Sequence, residues 1–191
     1  MLLIDDKAIF VHVPRTGGMF TRKVIDSTDL DHEQIYYTHG SIGETHKSVD
    51  IDTSNYYSFG FIRNPWKWTV SIFLQFGGFP HNADVPAQVF ERELNNYIGD
   101  KSLQSRYYKQ FYINNKLSVT DIFKTENLEE SLNYVFDKFN WEKPKELIEM
   151  TPINTRLHNS HNSHRKYYTD YTKELIYNHN RDIIEKYNYS F

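Results

Sequence analysis

The stretch "IFVHVPRTGGMF", Ile9 to Phe20, begins as an apolar run and then breaks into Pro-Arg-Thr-Gly-Gly. The apolar run, Ala8 to Val13, is short and rich in β-forming residues, which is typical of a buried central strand. Apolar residues then recur at helical spacing from Gly18 to Asp26 and predict a helix. A strand, a loop that we call the glycine loop (Pro14 to Gly18) and a helix therefore follow one another.

The glycine loop has the features of an anion-binding turn. A loop between a strand and a helix directs backbone N–H groups and the positive end of the helix at one point. Gly17 and Gly18 permit close backbone approach and positive φ, and Arg15 adds a guanidinium that can bind phosphate oxygens. On these residues alone, a plain turn is an equal alternative. The sequence lacks the G-x-x-x-x-G-K-[ST] loop of magnesium-dependent nucleotide triphosphate enzymes and the Rossmann G-x-G-x-x-G pattern.

The rest of the chain alternates between predicted strands and helices. Further strands are predicted at Ile35 to Thr38, Tyr56 to Ile62 and Val119 to Phe123, and further helices from Pro65, over Val89 to Ile98 and over Leu128 to Phe139. The aromatic-rich segment Leu103 to Ile113 is of uncertain type, and Thr169 or Asp170 is predicted to cap a final helix. This alternation predicts an α/β fold with a central parallel sheet flanked by helices, in a single domain over residues 1–191.

Composition excludes several classes of protein. The net charge of −3 and the isoelectric point near 6.3 argue against non-specific nucleic-acid binding, which needs a basic face. The absence of cysteine excludes disulfides and thiolate metal sites. The opening "MLLIDDKAIF" is unlike a signal peptide, and no apolar run approaches the ~20 residues that span a bilayer. We expect a cytoplasmic protein with no membrane or nucleic-acid partner; its oligomeric state cannot be inferred from the sequence.

A second stretch, "FGFIRNPWKWTVSIF", carries another candidate anion site. Arg63 ends a predicted strand, and Ser71 lies about two turns into the helix that follows. Open α/β sheets bind ligands at the carboxyl ends of their parallel strands, so we expect Arg63 near the glycine loop. Taken singly, a salt-bridging arginine and a helix-surface serine are the simpler interpretations. Together with the glycine loop, they suggest one ligand with two anionic groups.

These two stretches resemble the motifs of a known enzyme family. "HVPRTGG" resembles the P-K-T-G-G loop of the sulfotransferases that use 3′-phosphoadenosine 5′-phosphosulfate (PAPS), and the second stretch resembles their F-x-F-x-R-N-P-x-x-x-x-x-S segment. The group in question includes heparan sulfate 2-O-sulfotransferase and many small bacterial carbohydrate sulfotransferases. The resemblance implies a three-layer, P-loop-like fold in which the loop binds the 5′-phosphosulfate and the Arg…Ser pair binds the 3′-phosphate. The donor-binding residues implied are Arg15, Thr16, Gly17, Gly18, Met19, Phe20, Arg63 and Ser71.

The resemblance extends along most of the chain, with four departures. "THKSVD" is similar to the family's His-x-[ST]-[AV] element, "DIFKTENLEESL" to its D-F-I-x-R-x-E-N-L stretch, and the ending from Tyr167 to Phe191 to its Y-Y-T-x-E-L…D-x-x-x-[FY]-x-Y-x-F ending. The departures are Arg15 for lysine, Met19-Phe20 where a hydroxyl residue is usual, Trp68 for arginine and Lys124 for arginine. They bear on donor affinity and rate more than on the type of reaction.

Catalysis would need a charged loop and a base. In-line sulfuryl transfer resembles phosphoryl transfer, in which the protein mainly positions and neutralises, and Arg15 with the loop N–H groups would stabilise charge on the departing phosphate. A histidine has a suitable pKa to take the proton of an acceptor hydroxyl. The family resemblance makes His46 the first candidate. His39, directly after the predicted second strand, is the second, while His12 is predicted to be a satisfied core residue.

A run of histidines near the C-terminus has a simpler explanation than metal binding. His158, His161 and His164 are spaced by three residues, but Asn and Ser fill the spacing and no carboxylate is interleaved. A surface loop is therefore predicted rather than a metal site. The family resemblance further implies that Arg165 or Lys166 lies near the 3′-phosphate.

The leading functional hypothesis is an enzyme that transfers a sulfuryl group from PAPS to a hydroxyl without a metal ion. The expected acceptor is a saccharide or other small molecule, and the expected nucleotide product is adenosine 3′,5′-bisphosphate. A kinase-like small-molecule transferase and a non-catalytic nucleotide-binding protein of the same fold are the alternatives. The variable loops Phe79 to Pro86 and Thr151 to His164 are expected to select the acceptor.

Overall fold

The chain forms two compact units. A computed structural model describes residues 1–43, 51–76, 85–98, 107–148 and 164–191. One unit, which we call the sheet unit, comprises Met1–Ile62 and Tyr107–Ile153, and the other, the helical unit, comprises Arg63–Arg106 and Asn154–Phe191. The single domain expected from the sequence stays a prediction.

The sheet unit is organised around five strands in the order β3-β1-β2-β4-β7. These strands are β1 (Leu2–Ile4), β2 (Ala8–Val11), β3 (His32–Glu33), β4 (Tyr57–Ile62) and β7 (Asp121–Lys124), and a separate short hairpin pairs β5 (Tyr112–Ile113) with β6 (Lys116–Leu117). Strands β2, β4 and β7 are parallel to one another, whereas β1 runs antiparallel to both β2 and β3. The predicted mixture of helices and strands is confirmed.

The sheet is parallel at its centre, as predicted, but antiparallel at one edge. Strands β1 and β2 are joined by Asp5-Asp6-Lys7, and Ile4 pairs with Ala8. Parallel strands need a crossover of a dozen or more residues, so a three-residue connection forces an antiparallel pair. Asp5 and Asp6 make the turn with φ of 49° and 46°, a region that aspartate tolerates better than most residues. The sheet is therefore mixed.

The strand predicted at Ile35 to Thr38 is also wrong, because that segment is irregular and leads into a turn at Thr38 and His39. The carbonyl oxygens of Tyr36 and Tyr37 accept hydrogen bonds from the backbone nitrogen of Met1, at 3.2 and 2.7 Å. The Gly40 N–H also donates to the Tyr37 carbonyl, at 2.9 Å. These carbonyls are therefore engaged by the N-terminus and the turn, and the strand in this part of the chain is the shorter β3.

Seven described helices complete the two units. In chain order they are α1 (Gly18–Asp26), α2 (Pro65–Phe76), α3 (Ala87–Ile98), α4 (Leu128–Phe139), α5 (Lys145–Ile148), α6 (Asp170–His179) and α7 (Arg181–Lys186). The predicted bounds of α1 and α4 are confirmed, and the predicted final helix is divided at Asn180, whose side chain donates to the Ile176 carbonyl at 2.9 Å. In the part of the chain that the structure describes, no helix is both long enough and apolar enough to cross a membrane.

Each unit has its own apolar core. In the sheet unit, aromatic residues of the central strands pack against α1 and α4; this core includes Phe10, Phe59, Phe61, Phe20, Val24, Leu132, Val135 and Phe136. In the helical unit, α2, α3, α6 and α7 supply the core, which includes Trp66, Val70, Phe90, Leu94, Ile176 and Ile184. The glycine loop is thus carried by the packed strand–helix pair β2 and α1.

Candidate functional site

The glycine loop leaves the carboxyl end of β2 and turns sharply into α1. Two of its residues adopt left-handed backbone conformations, Arg15 with φ of 63° and Gly17 with φ of 86°. Glycine adopts this conformation without a steric penalty, whereas it is uncommon for arginine. Backbone turns of this kind form concave groups of N–H donors that bind anions.

Two threonines fix the loop from inside. The Thr16 side chain is buried, and its hydroxyl donates to the Val13 carbonyl at 2.8 Å. The Thr125 hydroxyl lies 2.9 Å from the carbonyl oxygens of both Thr16 and Ile62, and donates to one of them at a time. The loop after β2 is therefore tied to the end of the neighbouring strand β4. The Thr16 hydroxyl proton serves the loop itself, so the contribution of this residue to a ligand would come from its backbone.

The first turn of α1 presents its backbone rather than its side chains. Gly17 occupies the N-cap position, where no side chain of the described residues caps the helix. The first N–H groups of a helix have no partner within it, so they and the positive helix end favour an anion. Met19 is 59% exposed, whereas the Phe20 side chain is buried in the core. The Thr21 hydroxyl donates back to the Gly17 carbonyl at 3.3 Å.

The second glycine of the loop is required by a neighbouring side chain. A Cβ atom at Gly18 would lie only 1.9 to 2.7 Å from three atoms of the His12 ring. His12 is 2% exposed and stacks on Phe10, with 5.7 Å between ring centroids. Gly18 therefore lets the first turn of α1 approach an imidazole that is held in the core.

His12 is a buried, neutral imidazole. Burial, reinforced by the nearby His39 and Arg22, lowers the pKa of His12 to about 3. Its Nδ1 atom is buried and has no hydrogen-bond partner among the residues that the structure describes. The predicted core position is therefore observed, but Nδ1 is not satisfied by the described residues as the prediction expected. An unpartnered buried polar atom costs about 1–3 kcal/mol.

His39 lies beside the start of the glycine loop. Its Nδ1 lies 3.2 Å from the His12 carbonyl oxygen, and the two imidazole rings meet edge to face with 4.6 Å between centroids. The buried Gln110 side chain donates to the His39 carbonyl at 2.6 Å. His39 is itself exposed. His46, the first candidate for the base, lies outside the described residues.

In the helical unit, the Arg-Asn-Pro segment forms the N-terminal cap of α2. The Asn64 side-chain oxygen accepts from the backbone N–H groups of Trp66 and Lys67, at 3.1 and 3.2 Å. Its amide donates to the Ser190 carbonyl at 2.7 Å. Pro65 takes the first helical position, where its missing N–H costs nothing. Arg63 therefore directly precedes a rigid cap and is half-buried, while Ser71 is buried further along the helix.

A basic cluster surrounds His164 in the same unit. His164 is 4% exposed, and its buried Nε2 has no hydrogen-bond partner within the described ranges. Burial lowers the pKa of His164 to about 4, and Lys67, Arg165 and Arg63 act in the same direction. Arg165 is oriented by a hydrogen bond to the Phe191 carbonyl at 2.5 Å and by its position over the Phe191 ring. Sequence reasoning did not identify Lys67 or His164 as members of such a cluster.

Of the histidine run, His158 and His161 lie outside the described residues. Among the residues that the structure describes, no group of three or more His, Cys, Asp or Glu side chains could hold a metal ion.

Comparison of the chain with protein-family models, with curated proteins and with solved structures finds no match. A functional assignment therefore depends on the two local sites and on the sequence motifs that form them.

Proposed function

We propose that this chain is a PAPS-dependent sulfotransferase that transfers a sulfuryl group to a hydroxyl, with a carbohydrate as the expected acceptor. The observation that carries the proposal is the glycine loop, in which two left-handed residues lead from a central parallel strand to an uncapped helix N-terminus. The proposal includes the three-layer, P-loop-like arrangement and the cytoplasmic location expected from the sequence.

The glycine loop would bind the 5′-phosphosulfate of the donor. The backbone N–H groups of Gly17, Gly18, Met19 and Phe20 supply donors at the positive end of α1, and Arg15 supplies the charge. The buried Phe20 side chain and the internally bonded Thr16 hydroxyl support a backbone role for these two residues. Arg15 in place of the usual lysine exchanges a compact ammonium for a planar fork.

Arg63 and Ser71 would bind the 3′-phosphate, as the resemblance implies. The cluster around His164 adds Lys67 and Arg165 to them. These cations give the surroundings of His164 a positive electrostatic potential. The cluster therefore supports an anionic ligand, and the 3′-phosphate of the donor is the group proposed for it.

These residue roles imply how the transfer would proceed. Arg15 and the loop N–H groups stabilise the negative charge that grows on the leaving phosphate. A histidine takes the proton of the acceptor hydroxyl, which is a weak nucleophile while protonated. No residue of "PRTGG" or "RNPWKWTVS" is a carboxylate, so the cationic side chains provide the neutralisation that a metal provides in magnesium-dependent transferases.

Adenosine 3′,5′-bisphosphate should stabilise the fold more than AMP does. A nucleotide at one hundred times its dissociation constant adds about 2.7 kcal/mol to the free energy of unfolding, and the bisphosphate reaches that ratio at a lower concentration if its 3′-phosphate is bound. Thermal melting at matched concentrations of the two nucleotides measures the difference. Equal shifts would remove the 3′-phosphate assignment, and binding without transfer to any saccharide would favour a non-catalytic nucleotide-binding protein.

Sulfuryl transfer should be insensitive to a metal chelator. Because the proposed neutralisation comes from Arg15 and backbone N–H groups, the turnover in excess EDTA should equal that in buffer with magnesium. A radiolabelled sulfate transfer assay with and without EDTA provides the measurement. A turnover lost with EDTA and restored by magnesium would support the kinase-like transferase instead.

A further inference from the structure

A backbone carbonyl at the end of β2 selects which nitrogen of a neutral His39 ring carries the hydrogen. Its Nδ1 lies 3.2 Å from the carbonyl oxygen of His12, the first residue after β2. A carbonyl oxygen only accepts, so Nδ1 must carry the hydrogen, and in the neutral ring the lone pair then lies on Nε2. That Nε2 atom makes no hydrogen bond to any described residue. His39 thus presents a basic nitrogen beside the glycine loop.

Three contacts hold the His39 ring in this orientation. Its Nδ1 is bound by the His12 carbonyl, its ring packs edge to face against the His12 ring, and its own carbonyl accepts from Gln110. His12 is in turn confined between Phe10 and the bare backbone of Gly18. A chain of contacts therefore runs from the first turn of α1 through His12 to His39.

His32 differs from His39 in one informative respect. Its Nδ1 lies 2.9 Å from the Leu30 carbonyl oxygen, so both histidines place Nδ1 beside a backbone carbonyl. Its Nε2, however, is engaged by the Asp26 carboxylate at 3.0 Å. Of these two exposed histidines with the same backbone interaction, only His39 keeps Nε2 clear of the described side chains.

We propose that His12 is a positioning residue that holds His39 with Nε2 ready to accept the proton of the acceptor hydroxyl. The inference rests on the proposed sulfotransferase function and names its base as His39 rather than His46. Burial keeps His12 neutral, with a pKa of about 3. His12 therefore does not compete with His39 for the proton of the acceptor hydroxyl.

The step balances with these groups alone. The acceptor hydroxyl gives its proton to His39 Nε2, and its oxygen forms a bond to the sulfur of the donor. The bond between that sulfur and the oxygen of the 5′-phosphate breaks, and its electron pair stays on the phosphate of adenosine 3′,5′-bisphosphate. His39 leaves the step as an imidazolium with both nitrogens protonated and afterwards returns its proton to water.

The first test is spectroscopic and needs no substrate. Long-range ¹H–¹⁵N spectra of the full chain, recorded well above the ordinary histidine pKa of about 6.5, distinguish the two neutral imidazole forms. His39→Gln identifies the His39 signals by their loss. We expect the form with hydrogen on Nδ1. The form with hydrogen on Nε2 would overturn the inference, whatever the outcome for the proposed function.

The second test is kinetic and includes a rescue. His39→Ala should lower kcat by about 10²-fold or more without changing the affinity for adenosine 3′,5′-bisphosphate, whereas His32→Ala should leave both unchanged. His12→Ala keeps the backbone carbonyl but removes the ring that packs against His39. The His39 ring can then leave the carbonyl, so this variant should lower kcat and mix the two His39 forms in the spectra. His12→Phe keeps a planar ring and the backbone carbonyl, so it should restore both readouts. If His12→Ala does not fold, His12→Phe and the wild-type spectra still decide.

The outcomes separate the inference from the function on which it rests. Full kcat in His39→Ala, with nucleotide binding intact, would overturn the inference and leave the sulfotransferase proposal standing. A wild-type chain that neither prefers adenosine 3′,5′-bisphosphate over AMP nor transfers a sulfuryl group would overturn both. A loss of kcat in His12→Phe as large as that in His12→Ala would overturn the positioning role of His12.

Discussion

Gly18→Ala should lower the free energy of unfolding by about 3 kcal/mol, at the upper end of the usual cost of overpacking a core. The added Cβ would lie 1.9 Å from the nearest atom of the His12 ring. That ring cannot retreat into solvent, because it is 2% exposed and stacked on Phe10. Urea unfolding followed by circular dichroism measures the change as a shift in midpoint at constant slope.

The neighbouring residue supplies the control for this variant. Met19→Ala alters the same turn of α1 at a side chain that is 59% exposed, so its effect should stay within about 0.5 kcal/mol. The double variant His12→Ala with Gly18→Ala should lose less than the sum of the two single variants, since the smaller side chain makes room for the Cβ. Wild-type stability in Gly18→Ala would contradict the close approach of α1 to His12.

The strand, glycine loop and helix could be predicted because their signals are local. The β-rich run at Ala8 to Val13 and the helical spacing from Gly18 to Asp26 are properties of adjacent residues, and β2 and α1 form there. The reason why position 18 needs a glycine does not lie in the adjacent residues. Close approach to a phosphate and positive φ were expected to explain both glycines, but of the two only Gly17 has positive φ. Gly18 is explained by a contact with His12, which no spacing rule reveals.

The two wrong predictions about the sheet also concern features that local sequence patterns describe poorly. The hairpin β1–β2 is short, and its turn is made of two aspartates rather than of the glycine or proline that usually marks one. The pattern of apolar run, acidic turn and apolar run in "MLLIDDKAIF" was a usable signal for it. At Ile35 to Thr38 the apolar pattern reflected the burial of Ile35 in an irregular segment whose carbonyls bind Met1. A backbone partner from a distant segment decided that conformation.

The motifs of the candidate site could be predicted from the sequence, but the side chains that lie near them could not. Arg63 and Ser71 lie on one short segment with recognisable spacing, and Asn64 and Pro65 form the cap that holds the segment. Lys67, Arg165 and His164 gather only because α2 and the turn at Arg165–Tyr167 belong to the same packed unit. Their proximity depends on tertiary structure, for which the sequence carries no local pattern.

Arg63→Ala should weaken the binding of adenosine 3′,5′-bisphosphate by roughly 1.5–3 kcal/mol, the scale of a hydrogen bond to a charged group. That loss corresponds to about 10- to 150-fold in dissociation constant. AMP lacks the 3′-phosphate, so its affinity should change far less. Isothermal titration calorimetry with both nucleotides measures the selectivity, which is more informative than either affinity alone.

Two further variants test whether the effect of Arg63 depends on its charge or on its planar fork, and whether it is specific to this arginine. Arg63→Lys keeps the positive charge and loses the planar fork, so the affinity for the bisphosphate should fall between those of the wild type and Arg63→Ala. Arg92→Ala removes an arginine of the same unit that is exposed and paired with Glu93, and should leave both affinities unchanged. If Arg63→Ala weakened both nucleotides equally, Arg63 would act through the cap of α2 at Asn64 rather than on a 3′-phosphate. Because that cap is a folding feature, its loss would also lower the melting temperature without ligand, which distinguishes the two explanations.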